Sequence, residues 1–114
     1  MKYIRNIEHQ TVLRLTDEVE VRPGQVVSKT LAQNDALSLT VFAFAKGEAI
    51  SSHDSEGDAM VTCLEGKGRL TVGGEDYVIG EGESLVMPAT IPHAVYAIED
   101  FKMLLTVVFP EERA

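Results

Sequence analysis

Apolar residues come in short runs along this chain. The runs are rich in Val, Ile, Leu, Thr and Phe, and turn residues separate them. Candidate strands are Val26 to Leu31, Leu37 to Ala45, Ala59 to Leu64, Arg69 to Val72, Tyr77 to Ile79, Ser84 to Met87, Ala94 to Ala97 and Lys102 to Phe109. Turn signals fall at Pro23-Gly24, Asn34-Asp35, Lys46-Gly47, Gly66-Lys67-Gly68, Gly73-Gly74, Gly80-Glu81-Gly82 and Glu99-Asp100. Gly73-Gly74 suits a two-residue hairpin, because glycine accepts the positive φ that such turns require. No long helical period and no internal repeat is present. Many short strands with frequent turns predict one small all-β domain, a sandwich or barrel.

Periodicity refines this picture. Across Arg69 to Val72, positions 70 and 72 are apolar while 69 and 71 are polar, the mark of a half-exposed strand. Leu37 to Ala45 and Met103 to Phe109 are apolar at nearly every position, so both faces of these strands need cover. In a small barrel one face meets the lumen. A second subunit is the expected cover for the other, and the N-terminal part of the same chain is the alternative. A homodimer is therefore expected.

Composition narrows the function classes. A chain of 114 residues suits a single domain spanning 1–114, and 45% hydrophobic residues suffice for one core. With 10 basic and 18 acidic residues the net charge is −8, and no Lys or Arg run stands out, so nucleic acid is not an expected partner. No segment approaches the about 18 apolar residues of a membrane span. One cysteine, Cys63, precludes an intrachain disulfide. Met1 to Glu8 lacks an apolar signal core, and a cytoplasmic location is expected.

Two spaced blocks carry the candidate chemistry. The first runs Gly47, five residues, His53, one residue, Ser55, three residues, Ala59, six residues, Gly66; the second runs Gly82, five residues, Pro88, four residues, His93. These resemble the two motifs of the cupin superfamily, G-x5-H-x-H-x3-E-x6-G and G-x5-P-x-G-x2-H-x3-N. The resemblance covers a motif core from Leu37 to Pro110, and the chain looks like a short single-domain bacterial cupin. It implies a cupin double-stranded β-helix, a jelly-roll-like barrel, and dimerisation of the kind common in small cupins. The glycine frame, the proline and one histidine per motif are kept. Ser55 stands for the second histidine, Ala59 for the glutamate, Thr90 for the inner glycine and Ala97 for the asparagine.

The resemblance further implies that His53 and His93 point into the barrel and bind a divalent metal. Imidazole suits zinc, iron, nickel and manganese in varying degree. The alternative for each histidine is a hydrogen bond to water or carbonyl without metal. A tight site has three or four protein ligands, so two imidazoles predict weak binding. Asp54, Glu56 and Asp58 lie nearby. A bulge at Gly57 would turn Asp58 inward; a solvated loop is the simpler reading of all three. Ser55, Ala59, Cys63 and Ala97 are the expected pocket walls. Cys63 shares the parity of Ala59 and reads more readily as a small core hydrophobe than as a ligand or reactive thiol. His9 reads as a surface residue, and Met60, Met87 and Met103 as core or pocket filler.

Three roles follow: a metal-dependent oxygenase- or isomerase-type enzyme, a metal-free small-molecule binding module, or an interaction protein with a vestigial pocket. A small-molecule ligand is the expected partner. The substrate is not legible in the sequence.

Overall fold

A computed structural model describes residues 3–111. Among these residues nine strands follow one 3-10 turn, Leu15–Glu18. They are β1 (Val26–Gln33), β2 (Leu37–Phe44), β3 (Ala49–His53), β4 (Asp58–Glu65), β5 (Lys67–Val72), β6 (Glu75–Gly80), β7 (Ser84–Met87), β8 (His93–Ala97) and β9 (Phe101–Val108). They form two antiparallel sheets, β1-β2-β9-β4-β7 and β3-β8-β5-β6. From β2 to β5 and again from β6 to β9 the chain alternates between the sheets, as in a jelly roll, while β1-β2 and β5-β6 are hairpins within one sheet. No helix among the described residues is long and apolar enough to cross a membrane.

All eight strands predicted from periodicity form. The sequence reading missed β3. Its sequence, Ala-Ile-Ser-Ser-His, holds one large apolar residue, and all but Ile50 are exposed. An edge strand that buries one side chain carries almost no hydrophobic period.

The core fills the space between the sheets. From the larger sheet come Phe44, Ala59, Val61, Cys63, Met87, Phe101, Met103 and Val107, and from the smaller Leu70, Ile79, Val95 and Ala97. Rings of Phe44 and Phe101 meet at 5.6 Å. Gly68 exists for this packing, since a Cβ there would meet the Phe101 ring at 2.6 Å. Gly66 turns from β4 to β5 at φ +81° with the Asp100 carbonyl against it, leaving no room for a side chain. Gly73 and Gly74 take φ of +57° and +85°, the hairpin conformation expected of them.

The other face of the larger sheet is covered in part by the same chain. Ile7, Leu15, Val19 and Val21 pack on Leu31, Val41, Ala43 and Leu104. This N-terminal strap is tied down at several points. Arg5 N donates to Leu31 O, Lys29 Nζ meets Glu18 Oε1 at 3.2 Å, and Lys102 Nζ reaches Thr16 O at 2.6 Å. Over this area the doubly apolar strands have their cover without a second subunit. Beyond the strap the same face stays open at Met60, Val86 and Val108.

The candidate two-histidine site

The site is built where β3 meets β8. Ile50 pairs with Val95, and the next pair in register is His53 with His93. Three residues along β3 therefore match two along β8. The extra residue, within Ser51-Ser52, is a β-bulge. In an unbroken ladder Ser52 would face His93 and His53 would point to the opposite side of the sheet. The bulge instead sets His53 against His93, on the face that β8 turns to the core.

The rings lie close. Their centroids are 4.4 Å apart, at 69° to one another. His93 is buried, with 4% of its surface exposed, whereas His53 is exposed at the rim. Each Nδ1 lies against the carbonyl two residues earlier: Ser51 O at 3.0 Å from His53 and Ile91 O at 3.2 Å from His93. A carbonyl only accepts, so both Nδ1 atoms carry the proton when the rings are neutral. Each Nε2 then presents a lone pair, and no hydrogen bond engages either one among the described residues. Among the described residues no buried side-chain nitrogen or oxygen lacks a partner, so His93 Nε2 opens to solvent rather than into the packed core. Burial pushes the His93 pKa below its ordinary value; the bond to Ile91 O and the charge of Asp54 oppose this, and His53 adds to it. At neutral pH His93 is a neutral donor.

The residues around the pair are occupied otherwise. Ser55 folds back on its own turn, with its Oγ donating to Gly57 O at 2.8 Å and accepting from Gly57 N at 3.2 Å. Asp58 opens β4 in unbroken register with β9, opposite Val108, so no bulge turns it inward. Its Oδ1 accepts from Ala89 N at 2.8 Å. Gly57 is locked in place, because a Cβ there would meet Val108 O at 2.5 Å. A bulge does occur nearby, but in β3, one strand earlier than Gly57. A cleft of about 390 Å³ opens behind the loop, lined in part by Gly57, Asp58, Ala89 and Phe109; neither histidine is in its wall.

Ala59, Cys63 and Ala97 are all buried within the core cluster. Ala97 lies four residues along β8 from His93, roughly 13 Å at the rise of a strand. The Cys63 thiol donates to Glu65 O and Gly66 O, and burial pushes its pKa up to about 11, so it stays protonated. Met87 and Met103 are core residues, and Met60 is exposed on the outer face. His9 is an exposed residue whose Nε2 bonds Ile4 O at 2.6 Å.

Thr90 is a departure with a cost. It takes φ of +67°, a conformation that a β-branched residue adopts only under constraint, and its N donates to Ser55 O at 2.7 Å. The position at which the cupin motif has glycine still needs a glycine's backbone.

A cupin-domain family model matches residues 40–109. The chain belongs to the cupin family. Its structure is similar to that of a conserved protein of unknown function from Streptococcus pyogenes, at 53% identity over 97% of both chains with a TM-score of 0.95. A cupin superfamily protein from Desulfitobacterium hafniense is 30% identical over 94% of this chain and 98% of that one, with a TM-score of 0.89. A cupin 2 conserved barrel domain protein from Leptotrichia buccalis is 44% identical over 84% of this chain and 47% of that one, with a TM-score of 0.81. No curated protein matches the chain.

Cupins often hold transition metals, and the donors present here can be tested against such an ion. Two imidazoles with centroids 4.4 Å apart are close enough to touch one ion. Among the described residues no group of three or more His, Cys, Asp or Glu side chains is placed to hold a metal. The pair fits a metal as a partial donor set.

Proposed function

We propose that this cupin binds a small molecule at the mouth of its barrel, with His53 and His93 holding a divalent transition metal weakly. Zinc, iron, nickel and manganese suit the imidazole donors. The observation that carries the reading is the paired geometry. Both Nδ1 atoms are bonded to backbone carbonyls, which fixes each ring and leaves both Nε2 atoms without a hydrogen bond among the described residues. Such an outer hydrogen bond orients a ligating histidine and raises its basicity. When bound, the metal would supply Lewis-acid polarisation and open coordination positions. The protein's part is to hold two imidazole rings side by side and to keep the inner side dry.

The test is metal content, measured by mass spectrometry on protein purified without chelator or metal-affinity tag, after growth with each of the four metals. Stoichiometric or substoichiometric metal that disappears in His53→Ala and His93→Ala supports the reading. Metal absent from the wild type under every supplement sinks it.

A second reading has its own support. The donor set stops at two side chains among the described residues. In that reading the histidines act as hydrogen-bonding anchors for a small molecule without metal. A ligand bound at the pair in metal-free protein would favour it.

We also propose that two copies pair through the open part of the outer sheet face. Met60, Val86 and Val108 are exposed there by 41%, 53% and 59%. Met60 pairs with Val86 on one side and Thr106 on the other, so the patch is continuous across β7, β4 and β9. Its centre carries no charge in a chain of net charge −8, and two like-charged copies approach most readily where charge is missing.

A further inference from the structure

We infer that the edge of β6 is a docking site for an extended segment of another protein, apolar at its centre and basic at its ends, which adds to the smaller sheet as a further strand. A sheet edge carries backbone N–H and C=O groups that pair with any strand able to reach them, and folded proteins blunt such edges. Among the described residues the two sheets end on β1, β7, β3 and β6. The first three are blunted. β1 has a bulge between Thr30 and Ala32 and lies under the strap, where Arg5 N donates to Leu31 O and Asn6 Nδ2 to Thr30 O. β7 holds only 4 residues. β3 carries the bulge between Ile50 and His53.

β6, at the opposite edge of the smaller sheet from β3, has none of these devices. It keeps unbroken register with β5 from Val72–Glu75 to Lys67–Gly80 and contains no proline, lysine or arginine. Glu75 to Val78 are exposed, Tyr77 by 41% and Val78 by 56%. The turns at its ends set which backbone groups face out. The Gly73-Gly74 hairpin joins Val72 to Glu75, so Glu75, Tyr77 and Ile79 turn their N–H and C=O to β5. Asp76 and Val78 therefore turn theirs away from the sheet. Gly80 shares that parity, but its N donates to Glu83 Oε1 at 2.8 Å and its O accepts from Glu83 N at 2.9 Å. That end is closed, and Asp76 and Val78 offer their donors and acceptors to an incoming strand.

Charge then selects the occupant. Glu75 and Asp76 stand at one end of this edge and Glu81 and Glu83 at the other, all exposed and none in an ion pair among the described residues. Tyr77 OH holds Glu75 at 3.1 Å and Thr71 Oγ1 holds Asp76 at 2.6 Å, which keeps both carboxylates at the edge. Arg69, opposite Val78 on β5, leans over the Tyr96 ring of β8 at 4.6 Å, away from β6. Lys67, opposite Gly80, is the nearer cation and offsets one charge of this group. A second copy would bring the same acids against these and is repelled. A segment with Lys or Arg at its ends is attracted, and its central side chains meet Val78 on one face and Tyr77 on the other.

The experiment titrates a synthetic peptide, Val-Thr-Val with two lysines on either side and blocked termini, into isotope-labelled protein and follows the amides by NMR. The Asp76 and Val78 amides should shift and gain protection from exchange, while those of β1, β3 and β7 do not. The same core flanked by glutamates should bind about tenfold more weakly at low salt, and added salt should narrow the gap. Val78→Pro removes an outward N–H that pairing with β5 does not use, a place where an edge strand accepts proline, and should abolish binding. Glu75→Lys/Glu81→Lys leaves every backbone group in place and should weaken the lysine peptide but not the glutamate one, so it reads the same edge even if the proline variant does not fold. No shift at Asp76 and Val78, or equal affinity for both peptides, overturns the inference. Shifts of these amides on raising the protein concentration alone, lost in Val78→Pro, would assign the edge to a second copy and overturn it as well.

Discussion

His53 stands opposite His93 because β3 holds one residue more than β8 between that pair and the pair Ile50–Val95. The ring contact at 4.4 Å therefore depends on a backbone irregularity and not on strand alternation. The carbonyl of Ser51, within the bulged segment, also fixes the His53 ring. One local feature thus both aims the side chain and sets its tautomer.

Removing the bulge should leave the two histidines opposed and alter only how the His53 ring is held. Deleting Ser52 restores a two-for-two match with β8 and puts His53 in the slot directly opposite His93, without the bulged Ser51 carbonyl that holds its Nδ1. Both residues of the Ser51-Ser52 pair are exposed on an edge strand, so the deletion should leave the fold intact by circular dichroism. Nickel binding, measured by calorimetry, should survive the deletion, whereas His53→Ala should lose it. Loss equal to that of His53→Ala would show that the bulge itself, and not the pairing of the two residues, sets the site.

The His93 environment gives stability a pH dependence of defined sign. Its folded pKa lies below the ordinary 6.5, chiefly through burial. Between the folded and unfolded values the unfolded chain holds more protons. Stability is therefore full above about pH 6.5 and declines as pH falls towards the folded pKa, below which the loss is complete. Thermal melts of chelator-treated protein should show this fall, and His93→Gln should flatten it. Acid pH should also weaken metal binding, because a protonated imidazole is no ligand.

Thr90 holds a backbone conformation suited to glycine. Thr90→Gly should relieve this strain at the cost of a more flexible unfolded chain. The net expectation is a gain of about 1 kcal/mol, read as a higher melting temperature. The Thr90 N bond to Ser55 O is a backbone bond and survives the change. A lower melting temperature would mean that the Thr90 side chain contributes more than its φ costs.

The motif frame made the barrel legible, because turn glycines and two-faced apolar strands leave strong local signals. Gly66 is readable from sequence since its φ of +81° and the adjacent Asp100 carbonyl demand glycine. The strand β3 and its bulge are not readable in this way. Ser51 and Ser52 are exposed and polar, so nothing in their period reports which way the next residue points. Loop acids posed the same problem. Asp58 looked one residue out of phase with an inward position, and only its bond to Ala89 N shows what it does. The cover on β2 was equally hidden. Ile7, Leu15, Val19 and Val21 are spread over an irregular segment with no regular period, yet they meet on one surface.

Lys102 anchors that cover. Its side chain is 13% exposed and its Nζ lies 2.6 Å from Thr16 O and 3.7 Å from Glu65 Oε2. Lys102→Met keeps most of the apolar stem and removes the charged bond. The expected loss is about 2 kcal/mol in urea unfolding, the usual range for a hydrogen bond to a charged group. Amides of the strap, such as Arg5 N on Leu31 O, should exchange faster while β5 amides in the opposite sheet do not. Uniform acceleration in both sheets would show that the strap is no separate unit.

The patch left open by the strap supplies the last prediction. Met60 and Val86 face each other across β4 and β7 on the outer side, away from the core and away from both histidines. Replacing both by Lys puts charge at the centre of the proposed contact without touching the barrel interior. The double variant should be monomeric by light scattering where the wild type is dimeric, because desolvating two unpaired ammonium groups opposes association. Its nickel affinity should match the wild type, since the site lies on the other sheet. A wild type that is monomeric at all concentrations, or a variant that stays dimeric, would remove this face as the interface. Loss of nickel binding together with the dimer would instead tie the site to the assembly.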